Sequence, residues 1–157
     1  MLDVLKQSSF RTQTDLDALK DVLTWFDQFQ SLPIDTMVWL QCQLALIEGF
    51  TNAVRHAHHT LPADTPIEVE VSATGQFMDI KIWDQGPGFD FDATLRRKLA
   101  TTNQDSEGGR GLRIMQRVAD RVQYQRFSDQ RNCLYIRKYF QKKTASEGAA
   151  QPQGDNG

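Results

Sequence analysis

The chain contains 157 residues, of which 24% are charged, and its formal net charge at pH 7 is −2. A chain of this length suits one domain with a substantial hydrophobic core. The weakly negative charge disfavours a sequence-independent nucleic-acid binder, which requires a basic surface. The longest apolar run is four residues, which is too short for a membrane-spanning helix or a secretory signal. We therefore expect a cytoplasmic protein that contacts neither nucleic acid nor membrane directly.

The start of the chain predicts an edge strand followed by a helix. The residues up to Phe10 alternate weakly between apolar and polar types, as in a half-buried strand. Thr14 is predicted to cap a helix, because apolar residues recur at helical spacing from Leu16 to Phe29. Pro33 is expected to end this helix, since proline disfavours helical dihedral angles in the residue before it.

A second and longer helix is predicted over residues 35–58. Its apolar residues recur every three or four positions, which is the period of an amphipathic helix. These residues are Trp39, Cys42, Leu46, Phe50, Val54 and Ala57. Neither Cys42 nor Cys133 lies in a zinc-binding spacing, and we expect both to be free thiols packed in apolar surroundings.

The rest of the sequence predicts two hairpins separated by a third helix. Alternating apolar residues indicate four strands. These strands cover residues 67–71, 78–82, 122–127 and 133–140. A loop-rich segment over 84–109 leads into the helix, which is predicted to start near Arg110. Consecutive hairpins favour a mostly antiparallel sheet that is covered by helices on one face.

The end of the chain differs in composition from the rest. Aromatic and large aliphatic residues are absent after Phe140, and a segment of this kind cannot build a hydrophobic core. We therefore predict a domain over residues 1–140 and a disordered C-terminal tail over residues 141–157.

The first cluster of polar residues lies on the second helix. Glu48, Asn52, Arg55 or His56, and His59 are spaced so that they share one helix face. A carboxylate and an amide one turn apart suit Mg²⁺, which prefers oxygen ligands. The same carboxylate could act as a general base. The alternative is the ordinary exposed polar face of an amphipathic helix.

The second cluster directly follows a predicted strand. Asp84 ends this strand, and Gly86 and Gly88 permit positive φ angles and the close approach of a ligand. A buried carboxylate in this position could accept a hydrogen bond from an exocyclic amine. The alternative is a tight turn with an aspartate cap.

The third cluster opens the third helix. Gly109, Arg110 and Gly111 precede Leu112 at the predicted helix start, where free backbone N–H groups and an arginine would suit a phosphate. The alternative is a flexible loop that joins a helix. The sequence contains no P-loop pattern and no dinucleotide-binding glycine pattern within a βαβ unit.

In this order, the three clusters resemble those of the GHKL superfamily, the ATP-binding domains with the Bergerat fold. Residues 48–56 resemble its N box, residues 84–88 its first glycine box and residues 109–112 its second. The resemblance covers residues 14–140. It implies an α+β two-layer sandwich, with a mostly antiparallel mixed sheet covered on one face by about three helices. ATP would lie between the long helix and a short lid over residues 89–108.

Local residues indicate the branch of the superfamily. Sensor histidine kinases usually begin the N box with Asn and need a helix with a phosphoacceptor histidine. Here Glu48 begins the box, and the three histidines of the chain, His56, His58 and His59, lie within or beside it. Gyrase-like ATPases typically have Asp where this chain has Arg55. The sequence is therefore most similar to the anti-sigma-factor serine-protein kinases. His56 is interpreted either as a residue of the site wall or as a packed residue behind it, with the second favoured, and His58 and His59 as solvated residues at the helix end.

The resemblance implies a role for each matching residue. Glu48 would be the catalytic base that takes the proton of a Ser or Thr hydroxyl, and Asn52 would coordinate Mg²⁺ at the phosphates. Asp84 would accept a hydrogen bond from the adenine amine, in a pocket whose floor is shaped by Gly86 and Gly88. The other predicted nucleotide contacts are Arg55, Gly109, Arg110, Gly111 and Leu112.

The function implied by the resemblance is that of an anti-sigma regulatory factor. It would phosphorylate a small antagonist protein on Ser or Thr with Mg²⁺ and ATP, sequester a sigma factor and form a homodimer. Two other hypotheses stay open. One is a nucleotide-dependent binding module without phosphotransfer, and the other is a stand-alone histidine-kinase-like catalytic domain, which Glu48 disfavours.

Overall fold

The computed structural model describes residues 3–88 and 107–140. The predicted tail over 141–157 and most of the predicted lid over 89–108 lie outside the described residues.

The described residues form a five-stranded sheet in the order β1-β2-β3-β5-β4, and every neighbouring pair of strands is antiparallel. The strands are β1 Val4–Gln13, β2 Pro66–Thr74, β3 Phe77–Asp84, β4 Arg121–Arg126 and β5 Asn132–Tyr139. The predicted edge strand and the two hairpins are confirmed. The two hairpins meet where β3 pairs with β5, and this pairing brings Asp84 opposite Asn132.

Alternation along the strands separates the two faces of the sheet. Val69 pairs with Ile82, and Val71 pairs with Ile80, so the four buried side chains lie on one face. Burial of such apolar area is the main source of stability, at about 25 cal/mol for each Å². The intervening polar residues lie on the opposite face, where Arg137 bonds Asp79 at 2.7 Å.

Three α-helices in the described ranges pack on the apolar face of the sheet. They are α1 Leu19–Phe26, α2 Thr36–Asn52 and α3 Glu107–Val118. The rings of Phe26 and Trp39 stack with centroids 4.5 Å apart and join α1 to α2. The expected α+β sandwich with helices on one face is confirmed.

The cap of the first helical segment differs from the prediction. The side chain of Asp15, not Thr14, accepts a hydrogen bond from the Asp17 backbone N–H and caps the short 3₁₀ turn Leu16–Ala18 that precedes α1. The Thr14 hydroxyl instead contacts His58 and donates to the Thr65 carbonyl. Thr14 therefore joins distant segments of the chain rather than ending a helix.

The second helix changes its type before its end. Asp35 caps α2 by accepting a hydrogen bond from the Met37 N–H at 3.0 Å. After Asn52 the helix continues as the π-helical turn Ala53–Ala57. The backbone N–H of His58 donates to the Ala53 carbonyl at 2.9 Å, five residues back, as in a π-helix. The predicted helix over 35–58 is confirmed in extent, but its last turn is wider than an α-turn.

Both cysteines are free and buried, as the sequence predicts. Cys42 lies on the core-facing side of α2, and burial raises the pKa of its thiol to about 12. Cys133 lies on β5 opposite Trp83, and burial raises the pKa of its thiol to about 11. Both thiols therefore behave as apolar core groups.

Within residues 3–88 and 107–140, no helix is long and apolar enough to cross a membrane.

Candidate functional site

Helix α2 lies directly on the sheet at Gly49. A Cβ atom at this position would lie 2.5 Å from Ile82 Cδ1 and 3.2 Å from Leu134 Cδ2. The missing side chain allows the helix backbone to approach β3 and β5 closely. The neighbouring Glu48 and, one turn later, Asn52 are both half-buried at this helix–sheet junction.

The Glu48 carboxylate reaches the start of α3. A Cβ atom at Gly111 would lie 2.7 Å from Glu48 Oε1, so any larger residue at 111 would displace the carboxylate. The first and third sequence clusters are thus brought together. Gly111 is the fifth residue of this helix, so the carboxylate lies next to the first turn, whose four N–H groups lack partners within the helix.

Helix α3 begins at Glu107, three residues before the predicted start at Arg110. Gly109 and Arg110 therefore belong to its first turn, where anions are favoured. The predicted contacts of Gly109 and Arg110 stay predictions. The Leu112 side chain is buried in the hydrophobic core, so only its backbone is available to a ligand.

The Asp84 carboxylate is buried at the end of β3, with 3% of the residue exposed. Its Oδ1 accepts hydrogen bonds from the Gly86 N–H at 2.9 Å and from Asn132 Nδ2 at 2.8 Å, and its Oδ2 accepts one from the Tyr124 hydroxyl at 3.0 Å. Burial, together with the neighbouring Asp84 charge, raises the pKa of Tyr124, so the phenol remains a donor. A buried carboxylate needs such donors to remain stable.

Residues 85–88, here called the glycine turn, follow Asp84. The Gly86 carbonyl accepts hydrogen bonds from Asn132 Nδ2 at 3.0 Å and from Arg126 Nη1 at 3.2 Å. Gly88 has a φ angle of +83°, and a Cβ atom there would lie 3.1 Å from both Arg126 Nη1 and Asn132 Oδ1. Strands β4 and β5 therefore hold the turn against the end of β3.

Three partners of Asp84 and the glycine turn were not identified from the sequence. Tyr124, Arg126 and Asn132 lie in the second hairpin, about 40 residues further along the chain. These three residues could have been placed near Asp84 only by a prediction that β3 pairs with β5. That pairing does not follow from the alternation within either strand.

His59 is exposed, as predicted, but His56 and His58 differ from their favoured interpretation. His58, expected to be solvated, is 1% exposed, and its ring contacts Thr14 and the Gln85 backbone. His56, expected to be packed, is exposed, as is Arg55. The reason is the π-helical turn, which adds a residue to the helical period and changes the direction of the residues that follow Asn52.

The long helical segment touches both groups of residues. Glu48 lies close to Gly111 of α3, and at the other end of the segment the Ala57 carbonyl meets Gly86 of the glycine turn. Asp84 supplies a carboxylate acceptor, and the start of α3 supplies helix N–H donors. A sequence model described as a histidine kinase-like ATPase domain matches residues 12–138.

The chain belongs to this family. The match covers all the described elements from the end of β1 to β5. The predicted resemblance to the GHKL superfamily is therefore confirmed, and ATP is the nucleotide by which the family is described.

Curated relatives of this histidine kinase-like ATPase domain are serine-protein kinases. The chain is 32% identical over 88 residues to the serine-protein kinase RsbW of Bacillus velezensis, covering 53% of this chain and 54% of the relative. It is 30% identical over 91 residues to RsbW of Bacillus subtilis, covering 55% of this chain and 56% of that relative. The matches thus span about half the length of these relatives, and they support the anti-sigma kinase branch.

The fold also occurs in a solved structure. A chain of the SiaB–SiaC complex from Pseudomonas aeruginosa superposes with a TM-score of 0.56 over 87% of this chain and 90% of that chain. The two sequences are 14% identical, so the likeness supports the fold alone.

Proposed function

We propose that this histidine kinase-like ATPase domain is a Mg²⁺- and ATP-dependent serine/threonine protein kinase that acts as an anti-sigma regulatory factor. The observation that carries the proposal is the contact between the Glu48 carboxylate and the backbone at Gly111. Gly111 lies in the second turn of α3, and this closeness supports a base near a helix start that suits a phosphate. A base in that position has a use in phosphotransfer that it lacks in simple nucleotide binding.

ATP fits the described residues as a substrate. The Asp84 carboxylate would accept the adenine amine, since Oδ2 has one protein donor, Tyr124, among the described residues and can accept another hydrogen bond. Gly86 and Gly88 would shape the floor of the adenine pocket through the turn backbone, since the Ala57 carbonyl and the Arg126 and Asn132 side chains fill the space beside them. The phosphates would meet the first two turns of α3, where Gly109, Arg110, Gly111 and the Leu112 backbone lie, together with the exposed Arg55.

Mg²⁺ fits the amide oxygen of Asn52, which is half-buried one turn after Glu48. Among the described residues, no three His, Cys, Asp or Glu side chains are grouped as a metal site. Magnesium sites that use one protein ligand with substrate phosphates are common in kinases. When bound, the ion would neutralise charge on the phosphates.

In the proposed reaction, a Ser or Thr hydroxyl oxygen of the protein substrate attacks the γ-phosphorus of ATP. The new O–P bond forms as the bond to the β-phosphate oxygen breaks, and ADP leaves. Glu48 accepts the hydroxyl proton. Positioning and charge stabilisation supply most of the rate in such reactions.

The proposed partners are a sigma factor and a small antagonist protein that is the phosphate acceptor, and the proposed state is a cytoplasmic homodimer. The printed name of the Bacillus relatives, serine-protein kinase, supports the acceptor chemistry. The SiaB–SiaC complex is an assembly of a similarly folded chain with another protein, which is compatible with a protein partner.

The test is phosphate transfer from labelled Mg-ATP in an extract of the source cell, with wild type compared with Glu48→Gln. Glu68→Gln is the matched control, because Glu68 lies on the far face of the sheet, 3.7 Å from Arg131. We expect an acid-stable labelled band with wild type and with the control, but not with Glu48→Gln.

Other outcomes would reject the proposal in different ways. An acid-labile band would indicate a histidine-kinase-like domain. Nucleotide binding without any labelled band would indicate a binding module. Equal labelling by Glu48→Gln would remove the catalytic role of Glu48.

A further inference from the structure

His58 joins three segments that are distant in sequence. It follows the π-helical turn Ala53–Ala57, and its ring lies between Thr14, at the end of β1, and Gln85, in the glycine turn. Only 1% of the residue is exposed. A polar side chain buried to this extent needs hydrogen-bond partners for its polar atoms.

The hydrogen bonds fix the protonation state of the ring. The Gln85 backbone N–H donates to Nε2 at 2.7 Å, so Nε2 carries no proton. The neutral ring must then carry its proton on Nδ1, which donates to the Thr14 hydroxyl at 2.8 Å. That hydroxyl donates in turn to the Thr65 carbonyl at 2.7 Å. Each donor in this series of hydrogen bonds thus has one acceptor. The neutral ring is therefore fixed as the tautomer that carries its proton on Nδ1.

The ring holds the glycine turn from the helix side. Gln85 directly follows Asp84, and the next residue, Gly86, packs its backbone against the Ala57 carbonyl. Strands β4 and β5 hold the same turn from the sheet side through Arg126 and Asn132. Among the described residues, loss of the bond to Gln85 would therefore leave the turn hydrogen-bonded from the sheet side and only packed against Ala57 on the helix side.

We propose that His58 is a positioning residue for the base end of the nucleotide site, and that protonation of its ring releases the glycine turn and weakens nucleotide binding. This inference rests on the proposed function, since it assigns the nucleotide base to Asp84 and the glycine turn. It adds to that site a dependence on pH in the acidic range.

Protonation of the ring would break its bond to the glycine turn. A doubly protonated ring has no acceptor, so Nε2–H would face the Gln85 N–H. Burial lowers the pKa of His58, and the negative charge of Asp84 opposes this shift. The other groups bonded to the ring, from β1 and the glycine turn, are the uncharged Thr14 hydroxyl and Gln85 amide. On its own segment, His59 is exposed.

The experiment measures the affinity of the full chain for ADP between about pH 7.5 and about pH 5.5, with circular dichroism to confirm folding. His58→Phe removes the acceptor and retains a ring. His58→Gln retains an uncharged acceptor that does not titrate. His59→Gln, a change at the exposed neighbour, is the matched control.

We expect the affinity of the wild type to fall as the pH falls. The affinity should fall by at most about tenfold at pH 5.5. At that pH, an imidazole that has been released from the turn and has the ordinary pKa of about 6.5 is protonated about ten times as often as it is neutral. His58→Phe should weaken binding about tenfold at neutral pH, because the Gln85 N–H is left without an acceptor. His58→Gln should recover most of that loss. The ratio of wild-type to His58→Gln affinity cancels the titration of the nucleotide phosphates and isolates the ring.

Either of two results would overturn the inference. One is wild-type and His58→Gln affinities with the same pH dependence, and the other is normal binding by a folded His58→Phe protein. The third readout is NMR of ¹⁵N-labelled histidine in the protein without nucleotide. A neutral Nδ1–H tautomer that disappears on acidification, together with faster exchange of the Gln85 amide, supports the release of the turn. If wild type binds no ADP at any pH while this NMR signature is present, the proposed function is rejected. The hydrogen bond between His58 and the glycine turn is then still supported.

Discussion

Three donors hold the Asp84 carboxylate, and all three come from residues outside β3. Two of them, on Tyr124 and Asn132, belong to strands of the second hairpin. Such bonds fix the orientation of a buried carboxylate, so that its remaining lone pairs point in defined directions. Asp84 is therefore oriented before any ligand arrives, which reduces the free energy that binding must spend on ordering the site.

Substitution of Asp84 tests its role directly. Asp84→Asn should weaken ATP binding by about tenfold to a hundredfold, because a hydrogen bond to a charged acceptor is lost and the new amide presents a donor to the adenine amine. Calorimetric titration measures the affinity. Asp79→Asn is the control, because Asp79 lies on the same strand but on the opposite face, bonded to Arg137. An unchanged affinity in Asp84→Asn would contradict the adenine assignment.

The sequence predicted the structural positions of Asp84 and of the glycines after it better than it predicted the burial of the histidines. Asp84, Gly86 and Gly88 were recognisable because their types are restricted at a strand end and a tight turn. His58 was misread because it follows a helix whose last turn is π-helical, and a period of 3.6 residues places it at a solvated helix end. Its burial depends on Thr14 and Gln85, which are distant in sequence.

Helix α2 and the π-helical turn that follows it make different contacts in the fold. Its regular part keeps Glu48 and Asn52 one turn apart on one side. The π-helical turn Ala53–Ala57 then ends the helix so that the Ala57 carbonyl meets Gly86 and His58 meets Gln85. Such turns are rare in helices and frequent at functional sites. The π-helical turn thus connects the candidate catalytic face to the candidate base pocket.

The glycine turn is an element whose backbone conformation can be tested separately. Gly88→Ala should lower the free energy of unfolding by about 1–2 kcal/mol, since an L-residue is disfavoured at its positive φ. The added methyl group would also press on Arg126 and Asn132. Urea denaturation measures the change.

The chain offers a matched control for that substitution. A Cβ atom at Gly75, in the turn between β2 and β3, would have no neighbour within 4 Å. Gly75→Ala should therefore be neutral or stabilise the protein by up to about 1 kcal/mol. Equal losses at both positions would contradict a special constraint at Gly88.

For the molecule as a whole, the spacing of apolar residues within each segment predicted the strands and the helices. It also predicted that the helices cover one side of the sheet. It did not predict the strand order, because the pairing of β3 with β5 depends on contacts between residues about 50 positions apart. That single pairing places Asn132 beside Asp84. The parts of the site within one segment were thus predictable, and the contacts between hairpins were not.

The stability of the whole domain should depend on pH through His58. The pKa of this ring is lowered in the folded protein, mainly by burial, whereas an unfolded histidine titrates near about 6.5. Below that pH the unfolded chain binds a proton that the folded protein excludes. The free energy of unfolding should therefore fall on acidification, by at most about 1.4 kcal/mol for each pH unit from this group.

Urea denaturation of wild type and His58→Gln at several pH values isolates this contribution. The difference between the two proteins should be constant above about pH 7.5 and should change below about pH 6.5, where wild type loses stability more steeply. Parallel curves would show that the ring titrates alike in the folded and unfolded states. Carboxylates that are bonded in the folded protein contribute equally to both curves and cancel.

The two buried thiols lie on opposite sides of the sheet. Cys42 is covered by the helix layer, and Cys133 lies on the outer side beside Trp83. Their raised pKa values leave almost no reactive thiolate in the closed protein. An alkylating reagent would therefore modify each cysteine only during a transient opening of its own side. The unmodified protein thus contains two internal probes, whose labelling rates would compare local fluctuations above and below the sheet with and without nucleotide.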